Sequence, residues 1–198
     1  MAEELIKIMA EPQADPNRCR FTLDKNIIDE GSFFFNNAEE ARGSALPEAL
    51  FAVGGIGSVL AGGSLIQVVK STVDDWRAMA PKIGAAIRAA LNSGKPLVSE
   101  EAKKRIPDEN EIRTKVNALL EKEINPAVAS HGGVIELLDV KKNDIFIKMG
   151  GGCQGCAMST ATLKQGVEQS LRKEIPYLGA IYDTTDHAAG TNPYYSAS

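Results

Sequence analysis

Between Ser93 and Pro107 the apolar pattern of this chain stops. Ser93-Gly94-Lys95-Pro96 is turn chemistry, and Glu100, Glu101, Lys103, Lys104 and Arg105 follow within a dozen residues. A polar stretch of this kind reads as a linker, with room for a short charged helix, and divides the 198 residues into two small domains. The two parts carry different element orders, so neither is a repeat of the other.

In the first part, Cys19, Phe21 and Leu23 alternate with Arg18, Arg20, Thr22 and Asp24 after the turn Asp15-Pro16-Asn17. Period two marks a strand with one buried face. A second strand is expected over 27–35, broken near Gly31, then a helix over 38–53, with Ser44 as a cap and Pro47 in a first turn. Residues 56–61 and 64–70 flank Gly62-Gly63 and predict a hairpin. A helix follows over 74–91, with Trp76, Met79, Ile83 and Ile87 on one face and Pro81 placed to bend it. The order is β-β-α-β-β-α over 1–92, with 93–107 as the linker.

The second part, 108–187, reads α-β-β-α-β, which makes the whole chain α+β. Asp108 and Glu111 have capping-box spacing, and Ile112, Val116, Leu119, Leu120 and Ile124 form an apolar stripe that Asn125-Pro126 is expected to interrupt. His131-Gly132-Gly133 is a turn. Strands are expected over 134–140 and 145–149, joined at Lys142-Asn143-Asp144. After the glycine run 150–152 and Cys153-Gln154-Gly155-Cys156 comes a helix with Leu163, Val167 and Leu171 on one stripe, then a last strand over 180–183. Residues 188–198 have no periodicity and read as a mobile tail.

Composition narrows the function. Twenty-two basic and 26 acidic residues leave a net charge of −4, which offers no general field for nucleic acid or anionic lipid. No apolar run approaches the roughly 18 residues needed to cross a membrane. The opening Met1-Ala-Glu-Glu-Leu-Ile-Lys has no basic flank before a long apolar run, and its acids come at once; neither a secretory leader nor a mitochondrial transit peptide is expected. Three cysteines, Cys19, Cys153 and Cys156, are an odd number for a disulfide framework, so a reducing, cytoplasmic setting is expected.

The chemistry falls on the close pair. Two intervening residues let both sulfurs of Cys153 and Cys156 point to one centre, and the surrounding glycines permit tight backbone. A helix N-terminus after the pair favours thiolate, the form that ligates iron–sulfur clusters and zinc. Three readings are open. A redox dithiol fits the spacing but lacks the usual preceding Trp and intervening Pro. A structural zinc or a cluster needs about four ligands, and the chain has one such pair. Cys19 alternates with charged residues and reads as core packing. Two copies about a two-fold axis supply the missing half. A site shared between subunits suits transfer. No general base, nucleophile triad or nucleotide site is legible, so no enzyme is expected. Gly54-Gly55-Ile56-Gly57 lacks a following Gly-Lys-Ser/Thr and reads as turn glycines. Phe33-Phe34-Phe35 reads as strand and core, with a partner-binding patch as the alternative; neither His131 nor His187 has ligand spacing to the cysteines, and Met158 reads as a shield.

These residues resemble a known family. Asn125-Pro126-Ala127-Val128-Ala129-Ser130-His131-Gly132-Gly133 and Gly150 to Met158, continuing through Thr162 to Glu168, Asp186-His187 and Tyr194-Tyr195, look like the Nfu domain, the C-terminal module of NifU-type scaffolds. The likeness spans about residues 108–195. Asp15-Pro16-Asn17, Leu50-Phe51-Ala52-Val53, Gly57-Ser58-Val59 and Asp75-Trp76 resemble the Nfu N-terminal domain, in an order closer to the mitochondrial-type arrangement than to the bacterial carrier with a degenerate A-type domain. The resemblance implies a [4Fe–4S] cluster bridged by Cys153 and Cys156 of two subunits, with a [2Fe–2S] cluster as the alternative. It implies a homodimer, receipt of clusters from an upstream assembly scaffold, and delivery to apo iron–sulfur proteins. A thiol–disulfide oxidoreductase is the competing function.

Overall fold

The computed structural model describes residues 6–130, 132–151 and 157–184, the backbone alone for 151 and 157–163. The chain forms two units, Met1–Pro107 and Asp108–Ser198.

The first unit is a five-stranded antiparallel sheet with two helices on one face. Its strands are β1 (Ile8–Pro12), β2 (Arg18–Leu23), β3 (Ile28–Phe35), β4 (Ile56–Gly63) and β5 (Leu65–Lys70), ordered β1-β2-β5-β4-β3. The alternation of β2 works as expected: Cys19, Phe21 and Leu23 are buried and their neighbours half-exposed. β4 and β5 turn through Gly63-Ser64, where Gly63 takes φ 59°. Phe33 and Phe35 enter the core while Phe34 lies half-buried on the other face. Gly54 and Gly55, at φ 85° and 70°, are turn glycines. Helix α1 (Ala45–Phe51) supplies Leu46 and Leu50 to the core; α2 (Trp76–Asn92) supplies Trp76, Met79, Ile83 and Ile87. Asp75 caps α2 by accepting from the Arg77 amide at 2.8 Å, and the helix runs through Pro81 as one element.

Four local expectations change in this first unit. β1 had no sequence signal, since only Ile8 is even half-buried and Met9 is 62% exposed; main-chain pairing with β2 makes it a strand. The helix expected over 38–53 is confined to Ala45–Phe51, because Gly43 takes φ 81°. Ser44 occupies the N-cap position without capping: its buried Oγ accepts from the Ser99 amide at 2.9 Å. Residues 93–107 were expected to be a linker. Instead the Ala45 and Leu46 amides donate to the Pro96 and Leu97 carbonyls at 3.0 and 3.2 Å, and Val98 is buried in the core. The segment satisfies the free N–H groups that begin α1, a requirement no local pattern announces. Only then comes the short charged helix α3 (Glu100–Lys104), with Lys103–Glu100 and Arg105–Glu101 ion pairs at 2.7 and 3.3 Å.

The second unit opens with α4 (Glu109–Leu119), capped by Asp108, whose carboxylate accepts from the Asn110 and Glu111 amides at 2.9 and 3.0 Å. Asn125-Pro126 does not interrupt the run. A π-helical turn, Leu120–Ile124, widens the coil so that the Asn125 amide reaches the Leu120 carbonyl, and α5 (Asn125–Ala129) continues. The wider turn accommodates the missing Pro126 donor. Strands β6 (Gly133–Lys141) and β7 (Asp144–Gly151) form a hairpin whose Lys142 takes φ 55°. Helix α6 (Ala157–Glu174) then leads to β8 (Ile181–Asp183), parallel to β7, giving sheet order β6-β7-β8. Ile112, Val116, Leu120, Ile124, Val167 and Leu171 fill the core against Ile135, Ile145 and Ile147. Among the described residues no helix is long and apolar enough to cross a membrane.

Candidate functional site

The sheet of the second unit brings two chain segments to one end. Gly133, the first residue of β6, pairs with Gly151, the last of β7, and Val134 pairs with Gly150. Residue 131 therefore precedes, and residues 152–156 follow, the same end of the sheet. Helix α6 begins at the residue after Cys156, so the strand–glycine–CxxC–helix order expected from sequence holds at its two described ends. Cys153, Cys156, His131, His187, the tail 188–198 and the side chains of Met158 and Leu163 lie outside the described residues.

Glycine at 150 has a steric reason. A Cβ there would come 3.2 Å from Val134 Cγ1. The Val134 side chain thus lies directly over the Gly150 backbone, in the space a larger residue would fill.

Two neighbours hold this end in place. Asn125 Nδ2 donates to the Ile135 carbonyl at 3.0 Å and its Oδ1 accepts from the Ile135 amide at 2.8 Å, so one side chain completes the outer edge of β6. On the other side, Thr184 Oγ1 donates to the Ile147 carbonyl at 3.2 Å, and Lys164 of α6 pairs with Asp183 of β8 at 2.7 Å. By local pattern Asn125 reads as a helix breaker, and its pairing with Ile135 is not anticipated there. Its signal was an amide residue next to an apolar stripe, beside a proline.

Cys19 is placed as expected, in the core of the first unit with no exposed surface. Burial foremost, with the Glu11 charge adding, pushes its thiol up to about 11 against a hydrogen bond to Glu11 that lowers it. A neutral buried thiol is a poor metal ligand and a poor nucleophile. Among the described residues, no group of three or more His, Cys, Asp or Glu side chains could hold a metal ion.

Comparison with known proteins places both units. Residues 8–94 match the family model described as "Scaffold protein Nfu/NifU N terminal", and residues 116–181 match the "NifU-like domain". The Fe/S biogenesis protein NfuA of Pseudomonas aeruginosa is 43% identical over 107 residues, 54% of this chain and 51% of that protein. The protein of the same name from Pseudomonas syringae pv. tomato is 46% identical over 88 residues, 42% of this chain and 45% of its own. The chain spans about half the length of the curated relatives it matches. A solution structure of a NifU-like protein from Saccharomyces cerevisiae covers 50% of this chain and 90% of its own at 20% identity, with a TM-score of 0.44. The two family models occupy most of the chain, one on each unit, and on that ground the chain belongs to the Nfu/NifU-like family.

Proposed function

We propose that this protein is an iron–sulfur cluster carrier. A [4Fe–4S] cluster, its cargo, would be held by Cys153 and Cys156 of one chain and the same pair of a second copy, then passed to apo iron–sulfur proteins. The observation that carries the reading is the CxxC segment between the end of β7 and the start of the 18-residue helix α6, in a chain of this family. A helix N-terminus favours thiolate, and thiolate is the ligand form. Two ligands per chain leave half the coordination sphere for a partner, and a cluster held by so few bonds per subunit leaves readily. The relatives' name, Fe/S biogenesis protein, supports the same role. A reducing, cytoplasmic compartment would keep the thiols available, with an upstream scaffold as the donor. The carrier makes and breaks metal–thiolate bonds and needs no catalytic residues.

Anaerobic reconstitution with mass determination and metal analysis tests this. About four irons and four sulfides per dimer are expected, with visible absorption. Cys153→Ala or Cys156→Ala removes both, and chelating the iron returns the dimer to monomers. A metal-free monomer that turns over disulfides efficiently would replace the reading with a thiol–disulfide oxidoreductase. Zinc without visible absorption would make the pair structural.

A further inference from the structure

β1 is an edge strand of the first unit, at one end of the order β1-β2-β5-β4-β3. Such an edge presents N–H and C=O groups on which another strand can build. Two bonds fix which groups these are. The Asp24 amide donates to the Lys7 carbonyl at 3.2 Å, and the Gln13 amide donates to the Arg18 carbonyl at 3.0 Å. Bonding residues alternate along an antiparallel pair, so Lys7, Met9, Glu11 and Gln13 bond toward β2. Ile8, Ala10 and Pro12, and Ile6 just before the strand, turn their backbone groups to the outer edge.

The two ends of this edge are closed by different means. Pro12 has no N–H to offer. The Ile6 carbonyl already accepts from Arg88 Nη2 of α2, at 3.3 Å. Only Ile8 and Ala10 keep both groups open, a window shorter than the roughly five residues of an ordinary strand. Arg88 holds its place at a cost. Its Nε is buried without a hydrogen-bond partner. Among the described residues its guanidinium makes the one bond to Ile6 and no ion pair. A buried donor left unpaired is destabilising, and a methionine of similar reach would carry none. The stability of the unit therefore does not explain the guanidinium. Its position does: a strand adding beside β1 would displace it from its only acceptor and bury its charge.

We propose that Arg88 and Pro12 together close the outer edge of β1 to strand addition, and that the strand they keep out is β1 of another copy of this chain. Two identical edges can pair antiparallel about a two-fold axis, so every copy meets a matching edge on every other. The proposal stands apart from the carrier reading: it concerns association through the first unit, which contains neither Cys153 nor Cys156.

Metal-free, full-length protein under reducing conditions tests it, by sedimentation velocity over a concentration series and by amide exchange. Arg88→Met frees the Ile6 acceptor, and Pro12→Val restores a donor. The double variant is expected to associate at concentrations roughly tenfold or more below any at which the parent does, with the Ile8 and Ala10 amides newly protected. Arg88→Met alone should unfold in urea at a midpoint no lower than the parent's, since the unpaired Nε leaves with the side chain. Arg42→Met removes an exposed guanidinium elsewhere in the same unit and should sediment like the parent. A double variant that stays as dispersed as the parent overturns the proposal. So does association that leaves the Ile8 and Ala10 amides exchanging freely, because the contact is then elsewhere. A clearly lower midpoint for Arg88→Met overturns it too, by making the guanidinium a stabilising group.

Discussion

Asn125 and Ile135 exchange two hydrogen bonds, side chain to backbone, at 3.0 and 2.8 Å. A helical asparagine thus acts as one residue of a missing strand beside β6. It can do so because the π-helical turn at Leu120–Ile124 precedes it. Asn125→Ala leaves the Ile135 N–H and C=O unpaired at a buried residue. The loss expected is about 1–3 kcal/mol in the second unit. Denaturation curves give the magnitude, and faster amide exchange at Ile135 gives the location; unchanged protection there would refute the role.

Arg172 closes the far end of α6. Its guanidinium donates to the Leu178 and Gly179 carbonyls at 2.6 and 2.9 Å and pairs with Glu168 at 3.0 Å, all largely out of solvent. Arg172→Met keeps much of the stem's packing and removes three charge-assisted bonds. A destabilisation of roughly 2–4 kcal/mol is expected in urea titration. A change below about 0.5 kcal/mol would show that the fork is incidental.

Cys19 gives a pH dependence. Its thiol is raised from 9.0 to about 11 in the folded state, chiefly by burial. The stability this contributes is fully present below the unfolded value, and is lost as pH rises through 9 toward 11, because the unfolded chain gives up the proton first. The loss is of order 2–3 kcal/mol at the alkaline end. Cys19→Ala should flatten that part of the stability curve. It should also leave iron loading intact, since the residue sits in the core of the first unit.

Ser44 and Ser99 test the segment that was expected to be a linker. Ser44→Ala removes the buried acceptor of the Ser99 amide, and about 1–2 kcal/mol should be lost from the first unit. Val98→Ala should destabilise the same unit by a similar amount through a core cavity. Neither change should alter cluster uptake. If both variants melt like the parent, residues 96–99 are a loose connection after all.

The chain's own periodicities sufficed for what is local. The alternation at Cys19, Phe21 and Leu23 made β2, and the spacing of Trp76, Met79, Ile83 and Ile87 made the buried stripe of α2. The order strand, glycines, CxxC, helix also follows from residue types alone. Long-range pairing settled the rest. β1 is a strand because β2 offers it hydrogen bonds, Ser44 serves Ser99 rather than its own helix, and Val98 is core because α1 lies over it. Asn125 passes from apparent breaker to anchor because Ile135, ten residues on, needs both a donor and an acceptor. A backbone group left unpaired in the interior must find a partner wherever the fold provides one, and that partner carries no mark in the neighbouring sequence.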